Sequence, residues 1–145
     1  MTPVVLLRHA EPLMVGETPG ADWPLTEKGR NDATMLGPSL AGRSASAIVL
    51  TSPERRARET AALALPSVVA RVRDQLSEVK KPWYDSADEH TSAVAKWLKG
   101  DVVAGWERRE DLIRRIAQLR SDFGSSESLV LVSHGLLSPP GLTTG

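Results

Sequence analysis

The chain has 145 residues with 18 basic and 18 acidic side chains, so its formal net charge is zero. That length supports one domain with a buried core, and the lack of a basic excess argues against a dedicated nucleic-acid or membrane-surface partner. Cysteine is absent, which excludes disulfides, thiolate catalysis and zinc–thiolate sites. No segment approaches the ~20 apolar residues of a membrane span, and the N-terminus shows no signal-peptide pattern. We therefore expect a soluble cytoplasmic protein.

The first elements are a strand, a loop and a helix. Val4–Leu7 is a short, β-branched apolar run that predicts a buried strand. Residues 10–25 form a loop rich in proline and glycine. Thr26 is a good N-cap for a helix that runs to about Leu40. Pro38 should kink or end that helix.

The middle of the chain continues this alternation. Ala47–Leu50 predicts the second strand. Ser52-Pro53 then predicts an N-cap and first residue for a helix that runs to about Leu65. Val68–Val72 predicts a short third strand, and we expect residues 74–88 to be irregular.

The last part of the chain predicts two amphipathic helices and a fourth strand, Leu129–Val132. The helices cover about 89–99 and 106–123, and the arginines between 108 and 120 should form a solvated face. The order β-α-β-α-β-α-α-β indicates a three-layer α/β/α sandwich with a largely parallel central sheet. The apolar positions that should pack in the two helices are Val94, Trp97, Leu98, Trp106, Ile113, Ile116, Leu119 and Phe123.

Three of the predicted strands end in side chains suited to phosphate chemistry. Arg8 and His9 follow the first strand, Ser52 follows the second, and His134 follows the fourth. In open α/β sheets ligands bind at the carboxyl ends of the strands. Two imidazoles brought together there, one beside an arginine, indicate a phosphate site.

The helix after Ser52 begins with the sequence Glu54-Arg55-Arg56-Ala57-Arg58. A helix N-terminus attracts anions through its free N–H groups, and arginine adds bidentate donors for phosphate oxygens. Three arginines in the first turn oppose the helix dipole. The arrangement therefore needs a bound anion or an acid, and Glu54 and Glu59 can supply part of that charge.

Four separated segments, taken together, resemble the histidine phosphatase superfamily, also called the phosphoglycerate mutase-like family. They occur in the family's order and span nearly the whole chain. The segments are Leu7-Arg8-His9-Ala10-Glu11, Pro24-Leu25-Thr26-Glu27-Lys28-Gly29, Ser52-Pro53-Glu54-Arg55-Arg56-Ala57-Arg58-Glu59-Thr60-Ala61 and Val132-Ser133-His134-Gly135.

The resemblance assigns roles to particular residues. It implies that His9 is the nucleophile that becomes a phosphohistidine, and that Arg8, Arg56 and His134 hold the phosphate oxygens. Glu78 falls where many members carry the acid that protonates the leaving oxygen, although a solvated loop carboxylate remains an equally simple interpretation. Glu11 is a second candidate for the proton donor.

The chemistry of these residues is consistent with that assignment. An imidazole attacks phosphorus only when it is neutral, and nearby Arg8 and Arg56 favour the neutral form of His9. The arginines neutralise the phosphate, so we predict no metal and no cofactor. Trp23 and Trp83 lie in loops expected to overhang the pocket, where either could line the substrate cleft or simply pack.

We therefore predict a metal-independent phosphatase that hydrolyses phosphomonoesters, with a small-molecule phosphate ester or a phosphoprotein as substrate. Two alternatives remain open: a catalytically weak phospho-ligand-binding or interaction protein of the same fold, and a small protein phosphohistidine phosphatase. Mutase activity is disfavoured because Leu13-Met14-Val15-Gly16 offers no set of polar substrate residues.

The chain is interpreted as a single histidine phosphatase-like domain over residues 1–145, with residues 136–145 as an irregular tail. Family members normally continue with a helix and a further strand after the segment at His134, whereas Pro139-Pro140-Gly141 cannot continue a helix. We therefore expect a C-terminal part that is truncated and a bare strand edge beside Leu129–Val132. Such an edge predicts a homodimer, or marginal stability and aggregation.

Overall fold

The structure is a computed structural model that describes residues 4–44, 46–124 and 127–135. These residues form four strands and four α-helices, joined by loops that contain two short 3-10 turns. The strands are β1 (Val4–Arg8), β2 (Ile48–Thr51), β3 (Arg71–Val72) and β4 (Leu129–Ser133). The helices are α1 (Glu27–Ser44), α2 (Arg55–Ala64), α3 (Ala87–Leu98) and α4 (Arg109–Ser121).

The four strands form one parallel sheet in the order β1-β4-β2-β3. All strands therefore point the same way, and their carboxyl ends share one edge of the sheet. Strand β4 is central and all five of its residues are buried, and the strand beside it, β1, is an edge of the sheet. The two edges of the sheet are β1, where Val4 is 44% and Leu6 40% exposed, and β3, where Val72 is 46% exposed.

Helices cover both faces of the sheet, which confirms the three-layer architecture. Side chains of a strand alternate between its two faces, so Val49, Val130 and Val132 pack against α1 and α2. Leu50, Leu129 and Leu131 point the other way and pack with α4. The runs of apolar residues that predicted buried strands are thus shared between two separate cores.

A third apolar cluster joins α3, α4 and the segments before them. Trp97 and Trp106 are buried in it, as predicted, with their ring centroids 5.9 Å apart. Ile113 was expected to pack, but it is 58% exposed, and its neighbour Leu112 is buried instead. Helix α4 begins three residues later than predicted, which changes the residues that its inner face presents.

One arginine of α4 does not lie on the predicted solvated face. Arg115 Nε is 2.7 Å from Glu107 Oε1, and the two side chains are only 19% and 11% exposed. The carbonyl of Gln75 accepts a further hydrogen bond from Arg115. This arginine therefore ties α4 to the loop that precedes Glu78.

Two helix boundaries differ from the prediction. Helix α1 continues through Pro38 to Ser44, so the proline does not end it. Its predicted cap is confirmed, because Thr26 Oγ1 accepts a hydrogen bond from Gly29 N at 2.9 Å. Helix α2 begins at Arg55 with Glu54 as its cap, and not at Ser52-Pro53, because the Ser52 side chain lies against His134.

The loop of residues 10–25 is held against the start of α1. Pro12 and Leu25 form an antiparallel bridge, and Glu11 O accepts a hydrogen bond from Thr26 N at 3.0 Å. A Cβ placed on Gly29 would lie 2.4 Å from Glu11 O, so this approach requires glycine. Among the described residues, no helix has the length and apolar character needed to cross a membrane.

Candidate active site

The parallel sheet brings His9 and His134 together at its carboxyl edge. Backbone hydrogen bonds continue past the strand ends, from His9 N to Ser133 O and from Ser52 N to Val132 O, both at 2.9 Å. The two imidazole rings consequently lie with their centroids 5.0 Å apart. The sequence prediction that both histidines share one site is thus met by the fold.

The position of its ring proton makes His9 suited to nucleophilic attack. His9 Nδ1 lies 2.8 Å from the carbonyl oxygen of Ala10, and a carbonyl only accepts, so Nδ1 carries the proton. His9 Nε2 keeps its lone pair and accepts a hydrogen bond from Arg56 Nε at 3.3 Å. Burial, with the charges of His134, Arg56 and Arg8, lowers the pKa of His9 to about 4.

Thr60 fixes the segment that carries His9 to helix α2. Its Oγ1 accepts a hydrogen bond from Ala10 N at 3.0 Å and donates one to Arg56 O at 2.7 Å. Thr60 is fully buried. The role of Thr60 was not predicted from the sequence, although its spacing of one helical turn from Arg56 was the available signal.

Arg56 is the arginine of α2 that enters the pocket. It is buried, and its Nη1 donates to Gly20 O at 2.8 Å while Nη2 lies 3.2 Å from His134 Nδ1. Arg55 instead pairs with Glu59 at 2.6 Å, and Arg58 donates to Pro53 O at 2.9 Å. The structure therefore places only the predicted member of this arginine group against both histidines.

Arg8 extends beside the segment after β4. It is exposed, and a Cβ placed on Gly135 would lie 3.3 Å from Arg8 Nε and 3.4 Å from its Cζ. Glycine at 135 therefore leaves room for the guanidinium to lie close to the backbone. The charge of Arg8 also acts on His9, which places it at the same end of the sheet.

His134 is fully buried, and both of its ring nitrogens have polar neighbours. Nε2 lies 2.8 Å from Glu54 Oε2 and 2.9 Å from Ser52 Oγ. Nδ1 faces Arg56 and lies 3.4 Å from Glu78 Oε2. One side of the ring is therefore held by the start of α2, and the other faces the pocket.

Glu54 is a pocket residue that sequence analysis did not identify as part of the site. It also forms a close hydrogen bond with Ser52 Oγ. Burial alone would raise its pKa, but the hydrogen bonds from His134 and Ser52 outweigh burial and lower the pKa of Glu54 to about 2. Glu54 is therefore an anion under ordinary conditions.

Glu78 lies in the pocket and is not a solvated loop carboxylate. Its side chain is 22% exposed, and Oε2 lies 4.0 Å from Arg56 Nη2 and 3.8 Å from Lys81 Nζ. Its backbone N–H donates to Glu54 Oε1 at 3.2 Å. The loop is further anchored because Ser133 Oγ donates to Leu76 O at 2.6 Å.

Glu11, the second candidate proton donor, makes its hydrogen bond elsewhere. Its Oε1 accepts from Thr26 Oγ1 at 3.0 Å, at the beginning of α1. The structure thus brings Glu78 to His134 and Arg56, and it directs Glu11 to the helix cap.

Trp23 and Trp83 pack edge to face with ring centroids 6.1 Å apart. Trp23 Nε1 donates to Thr18 O at 2.9 Å, which fixes this ring, whereas Trp83 is 71% exposed. The Trp23 ring also lies against Gly20, whose carbonyl accepts the hydrogen bond from Arg56. The pair therefore borders the turn that contacts Arg56.

Because the chain has no cysteine, the side chains that could bind a metal ion are chiefly those of aspartate, glutamate and histidine. In the part of the chain that the structure describes, no group of three or more such side chains is arranged to hold a metal ion.

Fold and site together define an α/β protein with paired histidines and arginines at the carboxyl edge of a parallel sheet. The sequence matches the histidine phosphatase superfamily (branch 1) over residues 4–138. The chain belongs to this superfamily.

Solved structures agree with the family assignment. A mycobacterial glucosyl-3-phosphoglycerate phosphatase is 25% identical with a TM-score of 0.68, over 92% of this chain and 74% of the other. The protein TTHB049 of Thermus thermophilus is 25% identical with a TM-score of 0.67, over 92% and 79%. The product of open reading frame Rv3214 of Mycobacterium tuberculosis is 27% identical with a TM-score of 0.68, over 90% and 72%.

No curated protein sequence matches the chain significantly. The superfamily and its phosphatase neighbours support a phosphatase-like enzyme. The expectations about residues 136–145 lie outside the described residues.

Proposed function

We propose that this protein is a metal-independent phosphomonoesterase that works through a phosphohistidine on His9. The carrying observation is the hydrogen bond from His9 Nδ1 to Ala10 O, which leaves the Nε2 lone pair as the nucleophile. The low pKa of His9, about 4, supports the proposal because the ring is neutral near pH 7. An aligned neutral imidazole is the requirement for attack on phosphorus.

The first step transfers the phosphoryl group to the enzyme. His9 Nε2 forms a bond to phosphorus while the bond from phosphorus to the ester oxygen breaks. Glu78, in its protonated form, gives its proton to the leaving oxygen, so an alcohol departs. Arg8, Arg56 and His134 hold the three non-bridging oxygens as charge shifts in the transition state.

The second step returns the enzyme to its initial state. Glu78, now a carboxylate, takes a proton from water while the water oxygen bonds to phosphorus. The bond from phosphorus to His9 Nε2 breaks, and inorganic phosphate leaves. The arginines neutralise the phosphate in both steps, so the proposed reaction needs no metal ion.

The proposed substrate is a small phosphate ester or a phosphoprotein, encountered in the cytoplasm, without a nucleic acid or membrane partner. We include the Trp23–Trp83 pair as a rim of the substrate cleft, because Trp23 lies against the same turn that contacts Arg56. The edge-to-face arrangement leaves Trp83 accessible to a substrate. The substitution Trp83→Ala should therefore raise KM more for aryl phosphates than for small phosphate esters without an aromatic group.

Labelling of the intermediate tests the proposal directly. Substrate carrying labelled phosphate should leave an acid-labile, base-stable adduct, which His9→Ala abolishes and the control His90→Gln retains. Turnover should survive treatment with EDTA. Normal labelling of His9→Ala, or a strict need for added divalent metal, would contradict the proposal, whereas phosphate binding without turnover would identify a phospho-ligand-binding protein.

A further inference from the structure

Glu54 is a largely buried anion at the centre of the candidate site, and the proposed reaction assigns it no step. Its two carboxylate oxygens face different partners. Oε2 lies 2.8 Å from His134 Nε2 and forms the close bond with Ser52 Oγ, and Oε1 accepts the backbone N–H of Glu78 at 3.2 Å. One side chain thus contacts both a phosphate-binding histidine and the segment that carries the proposed acid.

The carboxylate determines how the ring of His134 is protonated. An ionised carboxylate only accepts hydrogen bonds, so the proton facing Glu54 belongs to His134 Nε2. The other nitrogen, Nδ1, then points toward the pocket, where it lies 3.2 Å from Arg56 Nη2 and 3.4 Å from Glu78 Oε2. At this distance Nδ1 can accept a hydrogen bond from Arg56.

A bound phosphoryl group changes what His134 must do. The ionised oxygens of a phosphate ester dianion only accept, so Nδ1 can hold one of them only if it also carries a proton and the ring becomes an imidazolium. That charge would be fully buried, and a buried charge requires a compensating partner. Glu78 cannot provide it in the first step, because there it must be the neutral acid.

The geometry points to Glu54 as a positioning residue that supplies this compensating charge to His134 and anchors the Glu78 segment beside it. This inference rests on the proposed function. Glu54 touches neither the phosphate nor the leaving group; it acts through His134 and through the backbone of Glu78. A carboxylate that orients a histidine and stabilises its charged form is effective in the same way in hydrolytic triads.

Other groups around His134 do not replace Glu54. The neutral ring of His9 lies on the β1 side at 5.0 Å, and Arg56 faces Nδ1 from α2. Lys81 Nζ lies 3.8 Å from Glu78 Oε2, and the guanidinium of Arg8 lies close to the backbone of Gly135. The three cations oppose an imidazolium, which leaves Glu54 as the group that favours it throughout the cycle.

The test compares Glu54→Gln, which removes the charge but keeps a similar shape, with Glu54→Asp, which keeps the charge. We expect Glu54→Gln to lower kcat/KM about 10- to 100-fold, with a loss that grows as pH rises from about 6 to about 9. Glu54→Asp should restore part of the activity and a pH profile like that of the wild type. Glu110→Gln removes an exposed charge from α4 and should change nothing.

A second measurement does not depend on turnover. Histidine ring NMR in saturating orthophosphate should show the imidazolium form of His134 persisting to higher pH in the wild type than in Glu54→Gln. The chain has three histidines, so His9→Gln and His90→Gln assign the signals. If the wild type lacks phosphatase activity, the proposed function fails, but this measurement still decides the role of Glu54.

Two results would overturn the inference. One is a Glu54→Gln variant that keeps kcat/KM within about twofold and the same His134 titration as the wild type. The other is a variant that only melts at a lower temperature, with a pH profile that superposes on that of the wild type. If Glu54→Gln does not fold, Glu54→Asp serves as the test. The inference is also contradicted if Glu54→Asp folds but its His134 does not keep the imidazolium form to higher pH, as it does in the wild type.

Discussion

At the scale of single residues, the site is a set of charges that control one another's protonation. The pKa of His9 is lowered to about 4, while that of Glu54 is lowered to about 2. Burial and nearby charges keep His9 neutral, whereas hydrogen bonds from His134 and Ser52 keep Glu54 ionised in spite of its burial. Both groups are thus held in their deprotonated forms near neutral pH, His9 as a neutral imidazole and Glu54 as an anion.

The neutral state of His9 should make stability depend on pH. The unfolded chain takes up a proton at His9 as pH falls through about 6.5, whereas the folded chain does so only near pH 4. The free energy of unfolding should therefore decrease as pH falls from about 6.5 to about 4. Allowing for solvent screening of a partly exposed group, the His9 contribution is on the order of 1–2 kcal/mol by pH 5.

Chemical unfolding of the wild type and of His9→Gln at pH 7.5 and pH 5 measures this contribution. The wild type should lose more stability than the variant over that interval. His90→Gln is the matched control and should lose as much as the wild type. Equal losses in the wild type and His9→Gln would mean that His9 is not held neutral in the folded protein.

The three arginines at the start of α2 should differ sharply in function. Arg56→Ala removes the buried guanidinium that faces both histidines, and it should cost about 2–4 kcal/mol of transition-state stabilisation, or roughly 30- to 10³-fold in kcat/KM. Arg55→Ala and Arg58→Ala serve as controls, because both side chains are directed away from the pocket. A larger loss at either control position would refute the assignment.

At the scale of elements, the presence and order of the strands and helices could be predicted from the sequence. Their boundaries could be predicted less well. Leu129–Val132 and Val4–Leu7 were recognisable because buried parallel strands are short and apolar on both faces. The continuation of α1 past Pro38 was not, because packing of Leu40 on α2 outweighs the local preference to stop. Tertiary contacts decide such cases, and they are invisible in a local pattern.

The site was predictable to a similar degree. His9, Arg56 and His134 follow strand ends or stand at a fixed motif spacing, which the sequence displays. From the sequence, Glu54 could be interpreted only as an acid that offsets the arginines at the start of α2. Its contact with His134 could not be predicted, because the two residues are 80 positions apart in the chain. No local spacing encodes a contact of that kind.

Two glycines of α1 allow a matched test of how the element is fixed. Gly29→Ala would place a Cβ 2.4 Å from Glu11 O, whereas Gly42→Ala meets nothing within 4 Å. We expect Gly29→Ala to destabilise the protein by about 1–3 kcal/mol through overpacking. Gly42→Ala should stabilise it by up to about 1 kcal/mol through higher helix propensity.

Denaturant titration of both variants against the wild type gives the two changes. Since both substitutions lie in the same helix and add the same methyl group, their difference reports the contact with Glu11 alone. If Gly29→Ala is as stable as Gly42→Ala, the backbone of the 10–25 loop does not pack against α1 as described.

At the scale of the whole molecule, burial is uneven across the sheet. Strand β4 is covered on both faces, and β2 lies beside it. Strand β1 pairs with β4 on one side, and its Val4 and Leu6 are 44% and 40% exposed. Strand β3 is the other edge, but it has only two residues, whereas β1 has five. The edge expected to pair with another chain is therefore β1.

An apolar edge strand tends to pair with another chain, so we predict a homodimer, or marginal stability with aggregation. Light scattering over a range of protein concentrations should show species larger than the monomer, and Leu6→Lys should reduce them because a lysine on an edge strand opposes pairing. Val69→Lys, at a 90% exposed loop position, is the control and should leave association unchanged. A monomer at every concentration that melts well above ~45–65 °C, the usual range of mesophilic domains, would show that the β1 edge needs no partner.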